Sequence, residues 1–110
     1  MDKREKLEVK ISILLKEIEE AKKIVIDEKI DYLNNYQKWV ESVLYRLQNG
    51  ALAASKGGVI GTMRGISEYD SLAAIKNLYD AAADVDVFYS DECKEWQILI
   101  LDRKNSFRLS

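Results

Sequence analysis

The sequence predicts an all-α protein, a four-helix bundle-like single domain over residues 1–110, with a glycine-rich connection between helices 2 and 3. Three observations support this prediction. The chain contains no proline, so no residue forces a rigid turn or interrupts a helix. Apolar residues recur with helical spacing over most of the length. The 110 residues are 47% hydrophobic and 33% charged, which is typical of one folded domain with a modest core.

Two apolar stripes within residues 3–49 predict the first two helices. The first stripe has spacings of four and three and consists of Leu7, Ile11, Leu14, Ile18, Ala21 and Val25. The second consists of Leu33, Tyr36, Val40, Leu44 and Leu47, and a helix stop at Asn49-Gly50 follows it. Segment 26–31 contains no helix breaker, so a single helix of about 70 Å is the alternative. We favour two antiparallel helices unless the protein is a dimer, because a lone domain could hardly cover so long a stripe.

The glycine-rich connection is the sequence AASKGGVIGTMRGIS, residues 53–67, which holds four of the five glycines. It lacks the Lys-Ser/Thr pair with which a nucleotide phosphate loop ends, so a connecting segment is the preferred interpretation. Its glycines permit a close approach of backbone that other residues resist. Its apolar members, Met63 and Ile66 among them, indicate that it packs against the core or against a partner.

The second half of the chain predicts two further helices. Ser67 is a suitable N-cap for the third, whose apolar stripe consists of Leu72, Ile75, Leu78, Tyr79 and Ala82. Ser90, Asp91 and Glu92 have the chemistry of a helix start, which predicts a fourth helix from about residue 91 to about residue 106. The alternative is an α+β fold with a hairpin at 85–101, because the runs at 85–89 and 96–101 have strand character.

The composition excludes several chemistries. The chain contains no histidine, so it has no Ser-His-Asp triad and no histidine metal ligand. Its single cysteine, Cys93, cannot form an internal disulfide. Asp84 and Asp86 begin like a calcium loop, but Phe88 and Tyr89 stand where an oxygen ligand and a glycine are required. We therefore expect no catalytic, cofactor or metal site and no enzymatic activity.

An acidic segment is the strongest functional feature of the sequence. Residues 68–92 carry seven aspartates and glutamates against Lys76 alone. Such a surface repels nucleic-acid phosphates and suits a basic protein partner. A merely solvated acidic face is the alternative. The predicted partner-binding residues combine carboxylates with one aromatic side chain, and they are Asp80, Asp84, Asp86, Tyr89, Asp91 and Glu92.

A tryptophan in a helix and a later turn motif carry a resemblance that covers residues 36–72; the residues are Trp39, Met63, Gly65, Ser67, Asp70 and Leu72. In this respect the chain resembles a group of small bacterial domains of unknown function. Those domains have a tryptophan-containing helix, a spacer, and a Gly-Gly-Met-Gly-Ser-like turn followed by Asn-Asp-Leu, and the spacing in this chain is looser. The resemblance implies an immunity or interaction protein.

These observations predict a non-enzymatic protein-binding module, immunity- or inhibitor-like, that binds a basic partner. One alternative is an oligomeric coiled-coil adaptor or structural protein, a homodimer through residues 3–49. Another is a small anion- or nucleotide-binding regulator that uses the glycine-rich connection. The N-terminus has no secretory signal, and the longest apolar run is four residues. We therefore expect a cytoplasmic protein without a membrane partner.

Overall fold

The computed structural model describes residues 3–49 and 62–92, and within these ranges the chain forms five helices and no strand. This confirms an all-α, bundle-like domain. Three of these helices are long, with 20, 20 and 17 residues, and two are short. In chain order they are α1 (Lys3–Lys22), α2 (Lys29–Gln48), α3 (Thr62–Ser67), α4 (Asp70–Ala73) and α5 (Lys76–Glu92).

Residues 3–49 form two helices, as predicted, and most of both apolar stripes is buried; Val25, the last residue of the first stripe, lies beyond the end of α1 and is only partly buried. The first stripe supplies the core with Leu7, Ile11, Leu14, Ile18 and Ala21. In the second, Val43 is buried and Leu44 is only partly buried, which shifts the stripe by one residue near its end. Because α2 and α5 cover the α1 stripe within one copy of the chain, the domain does not need a second copy to bury it.

The turn between α1 and α2 is made by local hydrogen bonds rather than by glycine or proline. The carbonyl of Ala21 accepts the backbone N–H groups of Ile24 and Val25, each at 3.0 Å, which ends α1. The carboxylate of Asp27 accepts the backbone N–H of Lys29 at 2.9 Å and its ammonium group at 3.0 Å. Asp27 thus caps the first free N–H of α2 and lowers the cost of interrupting the helix.

The prediction that Ser67 begins the third helix is wrong, because Ser67 is the last residue of α3. Its hydroxyl donates back to the carbonyl of Arg64 at 3.1 Å. Residues 62–67 become helical because Thr62 and Ile66, four apart, are both buried. The extended backbone of Tyr69 then separates α3 from α4.

The C-terminal hairpin at 85–101 is also ruled out in its first half, because residues 85–89 lie within α5. Val85 and Tyr89 continue the buried positions Leu78 and Ala82 with spacings of four, three and four. This helical period wins over the alternating pattern that suggested a strand. Ser90, predicted to begin a fourth helix, instead lies in the last turn of α5. The remainder of that prediction, residues 93–106, lies outside the described residues.

Helix α1 packs against both α2 and α5, and α3 and α4 pack against α5. Thr62, the first residue of α3, is hydrogen-bonded to both α2 and α5. Its carbonyl accepts the hydroxyl of Tyr36 from α2 at 2.7 Å, and its own hydroxyl donates to the carbonyl of Ala82 in α5 at 3.2 Å. One residue of α3 is therefore bonded to two long helices, and α3 is fixed between them.

Candidate functional site

Three of the predicted partner-binding carboxylates share one face of α5. Asp80, Asp84 and Asp91 are spaced by four and seven residues, which places them on the same side of a helix, and all three are exposed. Glu92 is exposed as well, about 100° further around the helix. We call Asp80, Asp84, Asp91 and Glu92 the acidic face.

One carboxylate of the acidic face is already paired. The ammonium group of Lys10 on α1 donates to Asp84 at 2.9 Å and lies 5.2 Å from the ring centroid of Phe88. Lys10 is three-quarters buried, while Asp84 keeps 57% of its side chain exposed. A partly exposed pair of this kind contributes about 0.2–1 kcal/mol, so it fixes Lys10 more than it stabilises the fold. It also reduces the negative charge at the centre of the face.

The structure places the other two predicted residues away from this face. Asp86 is half-buried and accepts a hydrogen bond from the backbone N–H of Met63 at the start of α3. Burial raises the pKa of Asp86, and this hydrogen bond opposes the rise. Tyr89 is fully buried in the core. Asp86 is thus bonded to α3 and Tyr89 belongs to the core, so neither presents its side chain fully to a partner.

A second surface feature is a groove of about 540 Å³ between α2 and the α3–α4 segment. Four aromatic side chains line it, three from α2 and one from the turn between α3 and α4. We call it the aromatic groove, and it is lined by Tyr32, Asn35, Tyr36, Trp39, Arg64, Gly65, Glu68 and Tyr69.

Two tyrosine hydroxyls fix the wall of the aromatic groove that α3 forms. Tyr32 donates to the carbonyl of Gly65, and Tyr36 donates to the carbonyl of Thr62. Carbonyls in the last turn of a helix have no partner within the helix, and Tyr32 satisfies one of them. Burial raises the pKa of both tyrosines, and the neighbouring carboxylates of Glu68 and Asp86 raise it further. Both hydroxyls therefore stay protonated as donors at neutral pH.

Gly65 is required by the contact between α2 and α3. A Cβ atom at this position would lie 2.8 Å from Cε2 and 3.0 Å from Cδ2 of the Tyr36 ring. Real Cβ atoms essentially never come so close to another heavy atom. The predicted close approach of the glycine-rich connection is confirmed here, whereas Gly57, Gly58 and Gly61 lie outside the described residues.

The aromatic rings of the groove contact one another. Tyr32 and Tyr69 meet edge to face, with centroids 4.8 Å apart, and Tyr36 and Trp39 are tilted at 5.7 Å. Tyr69 remains 39% exposed. Tyr32, Tyr36 and Trp39 are spaced by four and three residues, which places them on one side of α2. Tyr69 belongs to no stripe, so only the fold shows that it joins them.

A metal-ligand cluster and a membrane-spanning helix are both absent from the described part of the chain. Within residues 3–49 and 62–92, no three histidine, cysteine, aspartate or glutamate side chains cluster closely enough to hold a metal ion. None of the helices in these ranges has the length and apolarity needed to cross a bilayer.

The protein is thus an all-α helical domain that presents an acidic face on α5 and an aromatic groove between α2 and the α3–α4 segment. Comparison with known proteins adds no family: no protein-family model, no curated protein and no solved structure matches the chain. The resemblance to small bacterial domains of unknown function stays a prediction.

Proposed function

We propose that this chain is a non-enzymatic, cytoplasmic protein-binding module of the immunity- or inhibitor-like kind, and that its acidic face binds a basic partner protein. The observation that carries the proposal is the charge of α5. This helix holds five carboxylates against Lys76 alone, and four of them form the exposed acidic face. An exposed surface of one sign steers an oppositely charged partner and increases the association rate.

The burial pattern supports this function over the coiled-coil alternative. The apolar stripe of α1 is covered by α2 and α5 within one copy, so it is not an exposed coiled-coil seam. The anion-binding alternative depends on the glycine-rich connection, residues 53–67, of which the structure describes only residues 62–67. A thermal-shift series with nucleotides and inorganic phosphate tests that alternative, and a rise in Tm would favour it.

The test of the acidic face uses charge reversal at its two unpaired ends. The variant Asp80→Lys with Asp91→Lys reverses two charges of the face and leaves the residues Lys10 and Asp84 themselves unchanged. The matched control is Asp31→Lys with Glu41→Lys, which makes the same charge change at exposed positions of α2. The partner is captured from the native host at low salt, identified and purified, and its Kd is then measured by calorimetry for each variant.

We expect the acidic-face variant to bind at least tenfold more weakly and the control to bind nearly as tightly as the natural chain. Binding should also weaken between about 0.1 M and about 1 M salt, where the Debye length falls from about 10 Å to about 3 Å. Equal losses in the two variants, or an affinity independent of salt, would contradict the proposal. A captured protein with an acidic surface would contradict it as well.

A further inference from the structure

The aromatic groove has the properties of a binding site for a side chain. Its volume of about 540 Å³ lies in the range of small-ligand sites, and its walls are aromatic with a few polar groups at the rim. Trp39 and Asn35 are partly buried and exposed, respectively, so they can be reached from solvent. Tyrosine and tryptophan are also the side chains that contribute most to binding energy at protein interfaces.

The charges at the groove favour a cation. Aromatic ring faces attract cations through their quadrupoles. The carboxylate of Glu68 lines the groove and acts electrostatically on Tyr32, so a negative group lies at its rim. The one cation of the lining, Arg64, has 86% of its side chain in solvent and lies 3.9 Å from Glu68, at the outer limit of an ion pair. The Glu68 carboxylate is therefore available to a stronger partner.

We propose that the aromatic groove receives an arginine side chain of the basic partner, with its guanidinium against the aromatic rings and the Glu68 carboxylate. Arginine fits better than lysine because its planar guanidinium stacks on aromatic faces and pairs with a carboxylate through two parallel N–H groups. This inference rests on the proposed function, since it assigns to a basic partner a second point of contact. The groove and the acidic face are separate surfaces, and each can be tested without the other.

The probe is arginine capped at both ends, as the N-acetyl amide, and the control probe is the equivalent citrulline compound. Citrulline has nearly the same shape and no charge. The readout is the indole N–H resonance of Trp39 in a two-dimensional NMR titration. The chain has two tryptophans, and the Trp96→Phe variant assigns the resonance. No natural partner is needed, so this experiment can fail while the acidic-face experiment succeeds.

We expect capped arginine to shift the Trp39 resonance in a saturable manner and capped citrulline to shift it much less. Glu68→Gln should weaken arginine binding by about threefold to fivefold, because an exposed charge pair is lost. Glu41→Gln, at an exposed position of α2, should leave it unchanged. Tyr69→Leu should weaken it further, and a circular dichroism melt of that variant shows whether the fold is intact.

Equal shifts with arginine and citrulline would overturn the inference, because the groove would then bind the side chain by its shape and not by its charge. The absence of a saturable shift would overturn it too. Equal effects of Glu68→Gln and Glu41→Gln would remove Glu68 from the site and the inference with it.

Discussion

The contact between Gly65 and Tyr36 makes Gly65→Ala the most informative single substitution. The added Cβ would lie 2.8 Å and 3.0 Å from two ring carbons of Tyr36. That ring cannot easily move away, because it is 5% exposed and its hydroxyl donates to the carbonyl of Thr62 at 2.7 Å. The substitution therefore forces either a shift of α3 away from α2 or the loss of this hydrogen bond.

The expected magnitude combines two opposing effects. Overpacking of a buried contact costs about 1–3 kcal/mol. Replacing glycine by alanine within a helix recovers about 0.5–1 kcal/mol, since alanine loses less conformational entropy. The two ranges combine to a loss of about 0–2.5 kcal/mol in the free energy of unfolding, which for a domain of this size lowers Tm by up to roughly 20 °C.

Urea unfolding of four chains tests this reasoning: the natural chain, Gly65→Ala, Tyr36→Leu, and the double variant. With leucine at position 36 the ring is gone, so the alanine should cost little or should stabilise α3. The exposed Ser67→Ala substitution, two residues away in the same helix, is the control and should change stability by less than about 0.5 kcal/mol. A stabilising Gly65→Ala in the natural background would refute the argument. The same cost in both backgrounds would refute it equally.

Three further predictions concern single polar contacts. Asp27→Ala should destabilise α2 by removing its cap. Hydrogen bonds from Lys29 lower the pKa of Asp27, so the stability that Asp27 contributes is present above pH 3.8, its ordinary pKa, and is lost as pH falls through the lower pKa of the folded state. An unfolding series in acid that shows no such loss would contradict this. Asp86→Asn keeps an oxygen that can accept the Met63 N–H. Because burial raises the pKa of Asp86, the natural chain loses stability as pH rises from 3.8 through the pKa of the folded state. The variant should therefore be at least as stable at neutral pH, and a marked drop in its Tm would contradict this. A double-mutant cycle of Lys10→Met and Asp84→Asn should give a coupling free energy of about 0.2–1 kcal/mol that decreases in high salt. A coupling of zero at low salt would show that the pair does not contribute to stability.

The long helices could be predicted because each is specified by its own apolar period. Leu7, Ile11, Leu14 and Ile18 repeat every three or four residues, and all four are fully buried in the structure. The pairing of α1 with α2 followed from chain length and from the area that a small domain can cover. The apolar period of a helix and the length of the chain are visible in the sequence, so both helices could be predicted without knowing which helices pack together.

The errors occur where contacts between distant residues decide the local structure. Ser67 has good N-cap chemistry, yet the burial of Thr62 and Ile66 against the rest of the core makes it the end of a helix. Residues 85–89 alternate like a strand, and only the packing of Val85 and Tyr89 with the core selects the helix. Propensity is a weak preference that tertiary packing overrides.

The acidic face was partly predictable, because charge is visible in the sequence. What the sequence does not show is that Asp86 turns toward the start of α3 and that Tyr89 points into the core. The aromatic groove was harder to predict from the sequence than the acidic face. Its α2 side follows from helical spacing, but Tyr69 and Glu68 reach it only because α3 packs against Tyr32 and Tyr36.

The shortness of α3 has a consequence for when the aromatic groove exists. A helix of six residues is too short to persist in water on its own, because nucleation costs more than so few hydrogen bonds return. Helix α3 forms when Tyr36 and Ala82 supply partners for Thr62, which requires α2 and α5 to be already in place. The wall of the groove that α3 forms therefore depends on both long helices. Unfolding of either helix removes partners that hold α3 in place, so the groove is present only in a chain whose long helices are packed.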